Sequence, residues 1–173
     1  MEQTSPKFKP LPNIIVEMQV SLDGQSLGAL TIELFTEAAP ILVANFVKLM
    51  KSGTLDGTLF FKLKPNYYIQ GGDTEFNAGV GGKSAFGSKI HEGLLDGTFT
   101  DKYCVGMVNK GPHSTGSQFF ITLGPTPWLQ GWMAQVGLVS QGFAVLERLQ
   151  AVETDDQGTL LRKVRVDKAT VIN

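Results

Sequence analysis

Apolar and polar residues alternate in several short stretches of the chain. Between residues 14 and 20 every second residue is apolar, which predicts a strand with one buried face. Asp23-Gly24 is a hairpin signal, and residues 27–35 alternate again as the returning strand. Further strands are predicted at 58–69, where Pro65 interrupts, and at 105–108, 119–122, 134–139 and 164–171. Many short strands separated by regular turns favour a closed barrel or a sandwich.

Two stretches show helical spacing instead. The first begins at Pro40, because proline suits the first helical position, and it runs to about Lys51, with Gly53 as its stop. The second spans residues 143–151. Residues 38–47 carry no charge, and a helix that is apolar nearly all round is usually buried on more than one side. Either the rest of the domain or a partner protein therefore covers the first helix.

The length and the first residues suggest how the chain is organised. A chain of 173 residues is about the size of one domain. Residues 1–12 are polar and contain three prolines and two lysines, so they are predicted to form a flexible arm. The folded domain is then expected over residues 13–173.

Charge, hydropathy and cysteine content bear on the possible partners of the protein and on its cellular location. The 15 basic and 16 acidic side chains give a net charge of −1, so we expect no nucleic-acid partner. No apolar run approaches the ~20 residues that span a membrane, so no membrane segment is expected. The single cysteine, Cys104, excludes an internal disulfide and fits a reducing compartment. An intracellular location, cytoplasmic or nuclear, is therefore predicted.

Several kinds of chemistry are excluded by residue spacing. With two histidines and one cysteine, the chain has no spacing typical of a metal site, and we expect no metal or cofactor. Residues 79–84 lack the spacing of a phosphate-binding loop. Ser114 and Ser117 follow His113, but no G-x-S-x-G turn surrounds them, which argues against a catalytic triad.

Two longer motifs are specific. The strings Q-G-G-D at residues 70–73 and G-S-Q-F-F-I at 116–121 occur in this order, with G-G-K-S at 81–84 between them and Trp128-Leu129 after them. In these motifs the sequence resembles the cyclophilin family of peptidyl-prolyl isomerases, from about Asn13 to the C-terminus. The resemblance implies an all-β fold with two capping helices, in which a closed eight-stranded antiparallel barrel carries a shallow outer groove for proline-containing peptides.

The resemblance also assigns roles to residues of this chain. It implies catalytic positions at Lys62, Gln70, Asn109 and Phe120. It implies substrate-binding positions at Tyr67, Tyr68, Val108, Lys110, Gln118, Trp128, Leu129 and Met133. Two polar groups depart from the family pattern, because Lys62 falls where an arginine is usual and Met133 where a histidine is usual. Tyr67 also stands where Phe is usual and Tyr68 where Met is usual, and Val108 and Lys110 are larger than the usual alanines. Phe120 is also expected on the outer face of its strand, because it follows Phe119.

The reaction implied by the resemblance is rotation about an X–Pro bond, which has a barrier of about 18–20 kcal/mol. In the twisted state the imide nitrogen gains a lone pair, so a donor aimed at it lowers the barrier. Lys62 keeps a positive donor but loses the planar geometry of arginine. We therefore predict isomerase activity that is reduced, and binding of the cyclic peptide cyclosporin is expected to be weak.

Two other functions fit the residues. The chain could serve as a weakly active or inactive proline-peptide-binding subunit of a larger complex, with a partner surface formed by Ile41, Leu42 and Trp132. It could also be a generic β-barrel that carries a ligand inside. Finding those three side chains buried would argue against the first alternative, and a filled barrel interior would argue against the second.

Overall fold

A computed structural model describes residues 11–173 except 89, 94 and 96, so most of the predicted arm lies outside the described residues. The elements follow in the order β1 (Ile14–Leu22), β2 (Gln25–Leu34), α1 (Pro40–Lys51), β3 (Leu59–Lys64), β4 (Tyr68–Gly71), β5 (Cys104–Met107), β6 (Phe119–Thr122), a 3-10 turn (Pro127–Leu129), β7 (Ala134–Gln141), α2 (Phe143–Gln150) and β8 (Thr159–Val171). Within the described part of the chain, neither helix is long and apolar enough to cross a membrane.

The strands close into one barrel. Its order is β1-β2-β7-β5-β6-β4-β3-β8, and every neighbouring pair is antiparallel. The predicted eight-stranded barrel with two helices is therefore confirmed. Strand β8 begins at Thr159, five residues before the predicted start. Its first part was missed because the adjacent pairs Leu160-Leu161 and Arg162-Lys163 hide the alternation.

Alternating side chains fill the barrel. Val16, Met18 and Val20 of β1 are fully buried, and so are Leu30, Ile32 and Leu34 of β2. The hairpin between these strands turns at residues 23 and 24, where positive φ angles of 49° and 84° match the twist of the flanking strands. An interior occupied by apolar side chains argues against a ligand-carrying barrel.

Helix α1 covers the barrel with most of its surface. Leu42, Phe46 and Leu49 lie on its buried face, because residues at i, i+4 and i+7 share one side of a helix. The prediction that Leu42 contacts a partner is therefore wrong, since its side chain is 0% exposed within the domain. Ile41 remains 47% exposed and Trp132 74% exposed. Of the three residues predicted to form a partner surface, only Ile41 and Trp132 are therefore exposed and able to contact a partner.

Candidate functional site

A row of side chains crosses the outside of the barrel. Lys62 on β3 lies opposite Gln70 on β4, Gln70 lies opposite Phe120 on β6, and Phe120 lies opposite Gly106 on β5. Side chains of directly paired residues point to the same face of a sheet. Because Phe119 points into the core, its neighbour Phe120 points outward, as the sequence predicted.

A bulge in β3 aims Lys62 at this outer face. The register shifts between Phe60 and Lys62, so that two steps along β3 match one step along β4. Without the bulge, Lys62 would share the inward direction of Phe60, which is 2% exposed. With it, Lys62 is partly exposed beside Gln70, while Leu63 points inward and is 1% exposed.

Phe120 belongs to a second apolar cluster, outside the main core. Phe99 and Cys104 are buried with it, and the partly exposed residues that pack against these three are Val108, Leu129 and Met133. The Phe99 and Phe120 rings are stacked, with centroids 5.9 Å apart. Burial raises the pKa of the Cys104 thiol, which keeps this surface neutral.

Gly106 makes room for the Phe120 ring. A Cβ atom built on Gly106 would collide with the Cζ end of that ring. The absence of a side chain at this position lets the end of the Phe120 ring lie over β5. The result is a shallow apolar surface on the outside of the barrel, of a kind that suits a proline ring.

Aromatic side chains form one wall of this surface. Trp128, on the 3-10 turn, is 59% exposed, and its indole N–H donates to the Tyr67 hydroxyl at 3.1 Å. The Tyr67 ring also meets the Tyr68 ring edge-on, with centroids 4.6 Å apart. Burial raises the pKa of the Tyr68 hydroxyl above its ordinary value. The hydrogen bond and the ring contact fix the orientation of this wall.

An amide pair lies beside Phe120. The Gln70 amide N–H donates to the Gln118 side-chain oxygen at 2.9 Å, and the Gln118 amide N–H donates to the Gly81 carbonyl at 2.7 Å. The Val108 N–H donates to the Gln118 carbonyl at 3.0 Å. These bonds orient the Gln70 side chain so that its oxygen can accept a peptide N–H.

Asn109 is held within the protein. Its amide N–H donates to the Trp132 carbonyl at 2.9 Å, and its side-chain oxygen accepts the Gly111 N–H at 3.2 Å. These two bonds fix the orientation of the Asn109 side chain, and its second amide hydrogen is left for another acceptor. Lys110 is exposed beside it, and its N–H donates to the Ser114 hydroxyl at 2.6 Å.

Glu92 anchors this segment, which the sequence did not reveal. Its carboxylate accepts backbone N–H groups from His113, Ser114 and Thr115 at 2.8–3.2 Å, and the Thr115 hydroxyl at 2.8 Å. Burial raises the pKa of Glu92, but the hydrogen bonds outweigh it and hold the pKa below its usual value. The charged carboxylate thus fixes the turn that follows Asn109 and Lys110.

Asp73 organises the loop on the other side of Gln118. Its carboxylate accepts six backbone N–H groups at 2.9–3.2 Å, from residues 75, 76, 78, 79, 80 and 81. Burial raises the pKa of Asp73, yet the N–H donors together keep the pKa lowered. The sequence placed Asp73 in a motif but gave no sign of this role, because its partners are backbone groups.

Two cavities flank the row. One, of about 390 Å³, is lined by Val108, Lys110 and Gln118 among others. The other, of about 370 Å³, adjoins Lys62 and Gln70. The structure thus brings most of the predicted site residues to one outer face. The exceptions are the Asn109 side chain, which is bonded internally, and Lys110, which lies at the rim.

Comparison with known proteins agrees with this geometry. Residues 15–171 match the family model described as cyclophilin type peptidyl-prolyl cis-trans isomerase/CLD. The chain is 39% identical over 158 residues to peptidyl-prolyl cis-trans isomerase ppi1 of Schizosaccharomyces pombe, which covers 91% of this chain and 98% of the relative. It is 38% identical over 148 residues to peptidyl-prolyl cis-trans isomerase-like 1 of Gibberella zeae, covering 85% and 91%.

A bovine relative, also called peptidyl-prolyl cis-trans isomerase-like 1, is 36% identical over 159 residues, which cover 91% of each chain. The family match spans the whole barrel, and the relatives align over nearly their full lengths. Together with the closed barrel and the outer groove around Phe120, these matches show that the chain belongs to the cyclophilin-type peptidyl-prolyl cis-trans isomerase family.

Proposed function

We propose that the protein catalyses cis–trans isomerisation of X–Pro bonds in peptides and proteins. The observation that carries the proposal is the outward apolar cluster of Phe120, with Lys62 and Gln70 in register beside it. An apolar surface with a few oriented polar groups is what a proline-containing peptide requires. The reaction needs no covalent step, because only a rotation about the C–N bond is involved.

Each part of the groove has a task in that rotation. Phe120, Leu129 and Met133 hold the proline ring while the carbonyl on the preceding residue turns. Gln70 accepts a peptide N–H and fixes the backbone. Lys62 donates to the imide nitrogen as its lone pair develops, an interaction that is stronger in the twisted state than in either planar state.

Lys62 and Met133 lower the expected rate. The lysine ammonium sits on a flexible stem, so more rotamer freedom is lost when it reaches the imide nitrogen than with the planar fork of arginine. Met133 presents an apolar chain to the pocket and supplies no hydrogen bond to the turning carbonyl. The groove therefore retains peptide binding with weaker catalysis.

An exchange assay tests the proposal. NMR exchange spectroscopy on an Ala-Pro peptide with micromolar protein should show faster cis–trans interconversion than the peptide alone. Lys62→Arg should raise kcat/KM by about threefold to tenfold, which corresponds to about 1 kcal/mol. Lys62→Met, of similar length, should lower it. No acceleration by the wild-type protein would refute the proposal.

A second candidate function is binding without catalysis, as a subunit of a complex. The exposure of Trp132 and Ile41 favours this function, because large apolar side chains that served only the core would be buried. It predicts that the peptide binds with a measurable Kd while Lys62→Arg restores no activity. Weak cyclosporin binding, the absence of a nucleic-acid partner and the intracellular location stay predictions.

A further inference from the structure

The cavity beside Lys62 lies at one end of the row. The proline pocket, by which we mean the apolar surface around Phe120, lies toward the other end. Phe120, Gln70, Lys62 and Thr159 follow one another across β6, β4, β3 and β8. The cavity, of about 370 Å³, opens where Gln70, Lys62 and Thr159 meet, whereas the apolar cluster surrounds Phe120. A peptide seated on Phe120 can therefore extend along the row into this cavity.

The lining of this cavity is polar, and the charge that it carries is positive. Of the described residues that line it, Lys62 alone is charged, and the neutral hydrogen-bonding side chains are those of Gln70, Asn77, Gln157 and Thr159. A carboxylate can accept hydrogen bonds from an ammonium and from several neutral donors at once. No acidic residue lines the cavity to compete for Lys62.

Local hydrogen bonds orient the Asn77 side chain and fix the backbone of Gln157 and Thr159. The Asn77 side-chain oxygen accepts the Leu59 N–H at 2.9 Å, which leaves the amide NH₂ of Asn77 as its donor. The Gln157 and Thr159 N–H groups donate to one oxygen of Asp155 at 2.8 and 2.9 Å, which fixes that turn. The Asp155 carboxylate thus accepts backbone N–H groups of its own turn, and Asp155 does not line the cavity.

The distance to the proline pocket limits where an acidic residue can lie. Neighbouring strands are about 4.8 Å apart, so the backbone of Lys62 is roughly 10 Å from that of Phe120. An extended peptide advances about 3.3 Å per residue. An acidic side chain within about three residues of the proline therefore reaches the cavity.

We infer that this cavity binds the carboxylate of an aspartate or glutamate that lies within about three residues of the proline, so that the enzyme prefers acidic X–Pro peptides. The inference rests on the proposed function and narrows its substrate class. An ammonium has three N–H donors, so Lys62 can hold the carboxylate and still donate to the imide nitrogen. The bound carboxylate also restrains the flexible lysine side chain. This restraint offsets part of the disadvantage of lysine relative to the planar guanidinium of arginine.

Paired peptides test the inference. In an Ala-Pro host peptide, Glu and Gln are placed in turn at each of the three positions before and after the proline, and Kd is measured by NMR titration. At one position or more, Glu should bind about threefold to fivefold tighter than Gln at 50 mM salt. The advantage should shrink at 500 mM salt, because the ion pair is partly exposed. The amide signals of Gln157 and Thr159 should shift more with the Glu peptide.

Two lysine variants supply the control. Lys62→Gln should abolish the preference for Glu, whereas Lys64→Gln, an exposed lysine two residues along the same strand, should keep it. Equal binding of Glu and Gln at all six positions would overturn the inference, and so would a preference that survives Lys62→Gln. These are binding readouts, so they remain valid if no isomerisation is detected. Conversely, isomerisation with equal rates and affinities for the two peptides would overturn the acidic preference alone.

Discussion

Phe119 and Phe120 are neighbours in β6, yet they belong to different parts of the molecule. The Phe119 ring lies in the core, 5.3 Å from the Phe46 ring and 5.6 Å from the Phe60 ring. The Phe120 ring lies outside the barrel, stacked on Phe99. Both side chains are nearly inaccessible, at 0% and 5% exposure. Burial alone therefore does not separate a structural aromatic residue from one in the groove.

The surroundings of the two rings make the difference. Phe119 is enclosed by other fully packed side chains, so it contributes to stability. The Phe120 cluster is bordered by partly exposed Val108, Leu129 and Met133, so it can add a ligand to its contacts. The proposed function thus assigns folding to one face of the strand and peptide binding to the other, and this division can be tested residue by residue.

The largest expected effect is on stability. Phe119→Ala should lower the free energy of unfolding by about 3–5 kcal/mol, because it leaves a cavity in a closed core. Phe120→Ala should cost less, about 1–3 kcal/mol, because water and neighbouring side chains can enter an open cluster. Urea denaturation of both variants gives the two values. Equal losses would contradict the separation of the two clusters.

Lowering the pH should destabilise the loops that Asp73 and Glu92 hold before it destabilises the core. The folded-state pKa values of Asp73 and Glu92 are lowered, so their contribution to stability is complete above the ordinary carboxyl pKa of about 4 and is lost as the pH falls through the lowered values. Asp73→Asn should cost about 2–3 kcal/mol at pH 7 and flatten the decline in melting temperature below pH 4. Melting curves from pH 7 to pH 3 provide the measurement. A variant with the wild-type pH profile would contradict the role of the Asp73 carboxylate.

A smaller effect is expected at Gly106. Gly106→Ala should displace the Phe120 ring and weaken peptide binding about tenfold, with a loss of stability of about 1–2 kcal/mol. Adding Phe120→Leu, which shortens the side chain, should relieve the collision and recover part of that stability. Additive effects of the two substitutions in binding and unfolding measurements would show that the two positions do not interact.

The interior of the barrel could be predicted because alternation is a local property. The residues at 16, 18 and 20 and at 30, 32 and 34 point inward as expected, and the outward direction of Phe120 followed from Phe119. Leu42 was placed on the wrong side because every face of α1 near Pro40 is apolar, and composition cannot show which face meets the barrel.

The geometry of the site was less accessible to prediction. Simple alternation from Phe60 would turn Lys62 inward, and only the β3 bulge brings it to the groove. Phe99 reaches the Phe120 cluster from a distant part of the chain. Asp73 and Glu92 bind mainly backbone N–H groups, which every residue except proline has, so no sequence pattern identifies their partners.

The most direct measurement is the exchange rate of an Ala-Pro peptide, recorded by NMR with wild-type protein and with Phe120→Ala, each confirmed as folded. Wild-type protein should accelerate cis–trans exchange, and Phe120→Ala should reduce kcat/KM about 100-fold, equivalent to about 2.7 kcal/mol. Acceleration that is unchanged in Phe120→Ala, or absent from the wild-type protein, would contradict the assignment of the outer face of β6 as the catalytic surface.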